Sequence, residues 1–301
     1  MSVTKAQGLY PREVALIEQN WLSKKIDEQA STEAELIALG EFIRERRRLL
    51  VITGAGISTD SGIGDYRDTD GQWKRPKPVS HQDFMTHHHW RQRYWARSQL
   101  GYPAFLGAEP NAAHYALARL EQAGRISALV TQNVDRLHQR AQHQQVVDLH
   151  GRLDQVICMS CQRLSPREAI QEWLEARNPQ LQSQVVEMAP DGDADLEIDF
   201  SDIQVPDCDG CGGVLKPNVV FFGDSVDKGL VEVLMTRVTE SDGVLVVGSS
   251  LMVFSSFRFV RHAHQNVIPI AALNKGATRA DDLFTLKVEQ SSQVLDQLIP
   301  R

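Results

Sequence analysis

The chain lacks any run of about 20 apolar residues of the kind a membrane-spanning helix needs. Its opening segment, MSVTKAQGLYPREVALIEQNW, has no apolar block like that of a secretory signal, and Glu13 and Glu18 are foreign to a transit peptide. The chain therefore reads as cytoplasmic and without a membrane partner. An excess of basic charge is missing as well: 32 Lys and Arg stand against 39 Asp and Glu, a net charge of -7. That balance argues against a nucleic-acid footprint. Cysteine is scarce, with four residues in two pairs, Cys158/Cys161 and Cys208/Cys211. If all four are metal ligands, no thiol remains to act as a nucleophile. G-x-x-x-x-G-K-[ST], G-x-S-x-G and H-E-x-x-H are all absent, which removes the P-loop, nucleophile-elbow and zincin chemistries.

What is present is an ordinary globular composition, 42% hydrophobic and 24% charged, in 301 residues. That length suits one large domain or two unequal ones. Residues 1 to about 45 read as polar and helical. Beyond them, short Val/Ile/Leu runs recur between helical stretches: Leu49–Thr53, Ser127–Gln132, Val146–Leu149, Gly243–Val247 and Val267–Leu273. Continuous apolar runs of this length are strands buried on both faces of a parallel sheet. Alternation with helices predicts an α/β fold, a doubly wound Rossmann-like sheet carrying a smaller inserted zinc-binding and helical domain. The expected division is an N-terminal helical extension (1–40) and a Rossmann-like domain (41–75, 124–151 and 217–301). A helical insertion (76–123) and a zinc ribbon (152–216) form the small domain.

The first strand runs into Gly54-Ala55-Gly56-Ile57-Ser58. Glycines after a strand let a backbone approach a pyrophosphate, although Thr59 occupies the place of the third fingerprint glycine. Ser61-Gly62-Ile63-Gly64-Asp65-Tyr66-Arg67 then reads as a loop that could order over a ligand, or as an exposed loop with a local ion pair. The later runs end in Gln132-Asn133-Val134-Asp135, in His150-Gly151, in Gly248-Ser249-Ser250 and in Asn274-Lys275-Gly276. Ligands of open parallel sheets bind outside the carboxyl ends of the strands, so these segments should converge on one edge. His150 is the natural general base there, since an imidazole titrates near neutral pH.

Two Cys-x-x-Cys units without a secretion signal point to metal before disulfide. Four thiolates make a closed, structural zinc site. The 46 residues between the pairs exceed the usual ribbon spacing of about 15–20, and the excess coincides with the acidic segment APDGDADLEIDFSD. The run His87-His88-His89 sends its side chains in different directions on a helix and reads as solvated. Trp90, Tyr94 and Trp95 read as core.

These motifs in this order (GAGIS, SGIGDYR, TQNVDRLH, LHG, both cysteine pairs, GSSLMV and LNKG) resemble the sirtuins from about residue 40 to the end. RYWARS, APDGD and KPNVVFFGDSV resemble the class II branch. The resemblance implies an NAD-dependent protein lysine deacylase that consumes NAD and releases nicotinamide and O-acyl-ADP-ribose. His150 would be the base, and Asn133 and Asp135 would hold the ribose and a water. Ile63 and Asp65 would hold the carboxamide, within a cofactor set that includes Gly54, Gly56, Tyr66, Arg67 and Gln132. Ala55, Gly248, Ser249, Ser250, Asn274, Lys275, Gly276 and Ser292 would line the phosphates and adenosine. The acylated peptide would lie as an added strand against Phe222, Gly223 and Asp224 on one side and Leu251, Met252 and Val253 on the other. Arg93 and Arg97 are candidates to meet an acidic acyl group. Protein mono-ADP-ribosyl transfer, NAD-linked oxidoreduction and a non-enzymatic NAD and zinc binding module are the competing readings.

The sequence departs from the family pattern at Gly64, where Ser-Gly-Ile-Pro-Asp is usual. Glycine leaves the loop more mobile before NAD binds, at a cost in affinity. Gly64→Pro is expected to tighten NAD binding in calorimetry, and an unchanged Kd would contradict the cost in affinity assigned to this glycine.

Overall fold

The computed structural model describes residues 32–65, 74, 78–181, 196 and 198–300. Tyr66, Arg67, residues 1–31 and most of the acidic segment lie outside the described residues. Among those described, no helix is long and apolar enough to cross a membrane.

Six parallel strands form the large sheet: β1 (Leu49–Thr53), β2 (Ile126–Thr131), β3 (Val146–Asp148), β7 (Gly243–Val247), β8 (Ile270–Leu273) and β9 (Leu286–Val288). Their order, β3-β2-β1-β7-β8-β9, reverses direction between β1 and β7. All five residues of β1 and of β7 are buried, because each strand has apolar neighbours on both faces. Leu49 and Val51 face one layer, with α1 (32–45), α4 (Ala112–Gln122) and α9 (Leu295–Leu298). Leu50 and Ile52 face the other, with α7 (Lys228–Thr239) and α8 (Phe254–Gln265). Each buried Leu, Val or Phe in these layers contributes about 1.5–3 kcal/mol of transfer free energy.

Four of the five expected runs form large-sheet strands at nearly the expected positions. The fifth starts later, at Ile270, because Val267 turns outward in a left-handed conformation (φ 57°) and is 91% exposed. Apolar runs do not reveal β9, whose three residues carry Lys287 at their centre.

The small unit is an antiparallel sheet ordered β5-β4-β6, from β4 (Gly151–Cys158), β5 (Leu164–Pro166) and β6 (Leu215–Val219). It packs with α2 (His81–Thr86), α3 (His88–Gly107) and α6 (Arg167–Arg177). Arg167 is fully buried, stacked 4.3 Å from the Tyr102 ring, and burial pushes its pKa down to about 10. Tyr94 and Trp95 are buried core residues, and His87, His88 and His89 are exposed, as their sequence context implies. The boundaries differ at two places. Within the expected 76–123 insertion, α4 packs on the large sheet through Ala113, Ala116, Leu117 and Leu120. Residues 217–219 belong to β6 of the small sheet.

Beneath the β1–β2 end lies a cluster that sequence reading does not anticipate, built on α4, α5 (Leu137–Arg140) and the loop after it. His114, His138 and His143 are 0%, 1% and 4% exposed, with ring centroids 4.8 and 5.1 Å apart in succession. His138 Nε2 meets Thr53 Oγ1 at 2.9 Å, Thr53 donates to Thr131 (2.9 Å), and Thr131 accepts from the Asn133 amide (3.1 Å). The one carboxylate facing the cluster among the described residues is Glu121, 3.4 Å from His143 Nδ1. Burial pushes the His114 pKa down to about 3 and lowers those of His138 and His143, so all three rings are neutral. An unfolded chain protonates these imidazoles near pH 6.5. Stability is therefore complete above that pH and falls below it, by up to about 1.4 kcal/mol per pH unit for each ring. Urea midpoints are expected to drop between pH 7.5 and 5.5, and less steeply in His143→Gln, whose cysteines are untouched. Equal slopes would contradict the role given to these rings.

Candidate active site at the carboxyl edge of the large sheet

The strand ends are level. Thr53 pairs with Thr131 and Val247, Thr131 with Asp148, and Val247 with Leu273. Every segment singled out from the sequence thus leaves the sheet at one edge, astride the reversal between β1 and β7, where open α/β sheets bind ligands.

At that reversal the loops after β1 and β7 touch backbone to backbone. The Gly56 amide donates to the Gly248 carbonyl at 2.8 Å. A Cβ on Gly54 would stand 2.8 Å from the Gly248 oxygen, and one on Gly56 would stand 2.9 Å from Gly248 Cα. Gly248 itself has φ 59°, and a Cβ there would collide with the Ile57 nitrogen. The sequence assigns these glycines the task of approaching a pyrophosphate. Their first requirement is the contact of the two loops with each other. By contrast, a Cβ on Gly64 would meet nothing within 4 Å.

A cavity of about 530 Å³ opens above this crossing, within the range of small-molecule and cofactor sites. Gly54, Ala55, Gly56, Ile63 and Asp65 line it from the β1 side. Gln132, Asn133, Asp135 and His150 line it from β2 and β3, and Gly248, Ser249, Ser250, Asn274 and Lys275 from β7 and β8. Phe222, Gly223, Asp224, Met252 and Val253 also line it. Gly276 and Ser292 are not brought to the cavity; Ser292 is buried, and its Oγ has no hydrogen-bond partner. Arg93 and Arg97 do not line it either; Arg93 lies over Trp90, 5.2 Å from the ring. Among the described residues, the cationic side chains at the cavity are Lys228, Arg258 and Lys275.

Glycine backbone at the crossing, with Ser249, Asn274, Lys275 and the polar Asn133 and Asp135 on the same surface, is a lining suited to NAD. The polar residues are tightly connected. Asn133 Nδ2 donates to the Gly54 carbonyl (3.1 Å) and to Ser58 Oγ (3.0 Å), and Ser58 donates to Asp135 at 2.7 Å. Burial raises the Asp135 pKa, opposed by hydrogen bonds from the Leu137 amide, Ser58 and Asn133. Asp65 forms an ion pair with Lys74.

His150 stands where the chain passes from the large sheet to the small one. Gly151 makes the turn at φ 80°, and a Cβ there would collide with the Asn218 carbonyl. His150 Nδ1 lies 3.1 Å from the Gln132 carbonyl, which can only accept, so the ring proton sits on Nδ1. Nε2 is left as the basic nitrogen and accepts from Ser255 Oγ at 2.7 Å. Burial pushes the His150 pKa down to about 4, so the ring is neutral at pH 7. Gln132 is held in turn: its amide donates to Ser249 Oγ (2.7 Å) and accepts from Ser256 Oγ (2.9 Å). Ser58, Ser255 and Ser256 escape the sequence reading, although a pair of serines opening a helix directly after GSSLMV is a usable signal.

The four cysteines come together at the far end of the small sheet. The sulfur pairs Cys158–Cys211 and Cys161–Cys208 are 3.5 and 3.8 Å apart, and all four sulfurs lie within 4.8 Å of one another. A zinc ion with bonds of about 2.3 Å to a tetrahedron of thiolates requires sulfur separations of this size. The residues fit one structural zinc.

The Sir2 family model matches residues 54–255, which span the loop after β1, His150, both cysteine pairs and the first two residues of α8. The chain belongs to the Sir2 family. An NAD-dependent protein deacetylase of Xanthomonas axonopodis pv. citri is 59% identical, over 84% of this chain and 87% of that protein. The bovine (Bos taurus) NAD-dependent protein lipoamidase sirtuin-4, mitochondrial, is 46% identical over 87% and 85%. Among solved structures, a complex of Sir2 with a p53 peptide and NAD+ has a TM-score of 0.67 at 29% identity, covering 85% of this chain and 93% of that one.

Proposed function

We propose that this Sir2 family member is an NAD-dependent protein lysine deacylase. The observation that carries this reading is the basic Nε2 of a neutral His150 at the cavity, beside Asn133 and Asp135 and above the glycine crossing. NAD, when bound, supplies the ribose carbon that takes the acyl oxygen as nicotinamide leaves. His150 then accepts a proton from a ribose hydroxyl at Nε2, which frees that oxygen to attack the acyl carbon. The Gln132 carbonyl holds the opposite ring proton, so the ring stays in the tautomer that can act as base. Asn133 and Asp135, fixed through Ser58, hold the ribose side of the cavity, and Ile63 and Asp65 the nicotinamide side. The bond from the acyl carbon to the lysine nitrogen would break as one water, held by Asn133 and Asp135, adds, so the products would be free lysine, nicotinamide and O-acyl-ADP-ribose.

The peptide would enter as a strand between Phe222–Asp224 and Met252–Val253. The zinc holds the end of the small sheet and takes no part in the chemistry, since four thiolates leave it no open position. The large sheet would be the NAD domain and the cysteine-bearing unit the smaller one. A cytoplasmic setting accords with thiolate ligands that need a reducing compartment. RYWARS and the long insert between the cysteine pairs support placement in the class II branch.

The names of the relatives differ in acyl group, one a deacetylase and another a lipoamidase. Mass spectrometry of reactions with NAD and acetyl-, fatty acyl-, acidic acyl- and lipoyl-lysine peptides is therefore the decisive test. Nicotinamide and O-acyl-ADP-ribose are expected together for at least one peptide and are expected to disappear in His150→Tyr. ADP-ribose attached to protein, or intact NAD with every peptide, would overturn the reading.

A further inference from the structure

The chain is acidic overall, yet a basic cluster lies beside the cavity, with Phe254 and Arg258 in its lining. Phe254 opens α8 and is 43% exposed. Arg258 and Arg261 follow at i+4 and i+7, on the same face of the helix. Their guanidinium carbons lie 5.0 and 5.2 Å from the centre of the Phe254 ring. Arg279, from the segment after β8, lies 5.8 Å from that ring and 4.6 Å from Phe257, and its Nη1 donates to the Met252 carbonyl at 3.3 Å. Among the described residues, none of the three forms an ion pair with a carboxylate. The acids at the cavity are already engaged: Asp224 lies 3.2 Å from His81, Asp65 pairs with Lys74, and Asp135 is buried. Attraction to an exposed ring is worth little per cation, and three like charges gathered on one ring repel each other. An anionic partner would remove that repulsion.

The position of the cluster names the partner. Arg279 holds the backbone of Met252, and Phe254 follows Val253, so the cluster adjoins the edge assigned to the peptide strand. We propose that this face recognises acidic side chains flanking the acyl-lysine, making the protein selective for acyl-lysines set in acidic sequence. The proposal rests on the deacylase reading of the cavity and specifies its substrate class.

The test uses the full chain with saturating NAD and three peptides bearing the same acyl-lysine, flanked on both sides by Glu, Gln or Lys. Rim charge pairs favour an effect on binding over one on turnover. KM for the Glu peptide is expected to be about fivefold or more below that for the Gln peptide, with kcat little changed. The gap should narrow as salt rises from 50 to 300 mM. In Arg261→Glu the preference should turn toward the Lys peptide, and peptide Kd by fluorescence anisotropy should follow the same order. Equal KM values in the wild type, or a Glu preference that survives Arg261→Glu, would overturn the proposal. The acyl group is one turned over in the panel above, so turnover of the Gln peptide shows that the deacylase reading stands whichever way the charges fall, while an acyl panel with no turnover at all would defeat that reading instead.

Discussion

The organisation of the site depends on one contact, the crossing of two glycine loops where the large sheet reverses its order. Gly54 and Gly56 on one side and Gly248 on the other leave no room for a side chain between them. The contact fixes the spacing of the loops after β1 and β7, and Gln132 bridges to Ser249 from β2. The ligand surface is then the upper side of this crossing. Its shape follows from backbone packing. Preorganisation of this kind is what an enzyme needs where charge develops on a ribose oxygen.

The second constraint is that His150 belongs to both sheets. Its position follows the last residues of β3, and Gly151 turns the chain into β4 at once. The base therefore sits on the line where the two units join, with Gln132 from the large sheet behind it and Ser255 from α8 in front. Gly151 and Cys158 are the two ends of β4, so the cysteine cluster stands at the opposite end of that strand from His150. Three consecutive residues of α8 serve three purposes there. Phe254 carries the arginines, Ser255 meets the base and Ser256 holds Gln132.

Much of this is legible in the sequence, and the remainder is hidden for identifiable reasons. Strands buried on both faces announce themselves as unbroken Val/Ile/Leu runs, and the runs of β1 and β7 match their strands to the residue. β9 is hidden because three residues carry no period, and α4 falls to the wrong unit because amphipathicity does not say which sheet a helix covers. The cysteine pairs and His150 are recoverable from residue type and spacing. The serine pair opening α8 is a signal whose partners, His150 and Gln132, lie 105 and 124 residues away, and the His114–His138–His143 cluster leaves no signal because it is assembled from separate elements. The glycines stand out for an incomplete reason, because loop-to-loop contact leaves the same trace in a sequence as room for a phosphate.

The most direct test of the crossing compares Gly248→Ala with Gly124→Ala. Both glycines have φ near the left-handed region, 59° and 70°, but a Cβ on Gly124 meets nothing within 4 Å. Both substitutions incur the backbone cost of about 1–2 kcal/mol, and only the first drives the loops apart. Urea unfolding and NAD titration should show Gly248→Ala less stable than Gly124→Ala, with NAD affinity reduced about tenfold or more in the first alone. Equal stability and equal NAD affinity in the two variants would contradict the claim that the crossing builds the site.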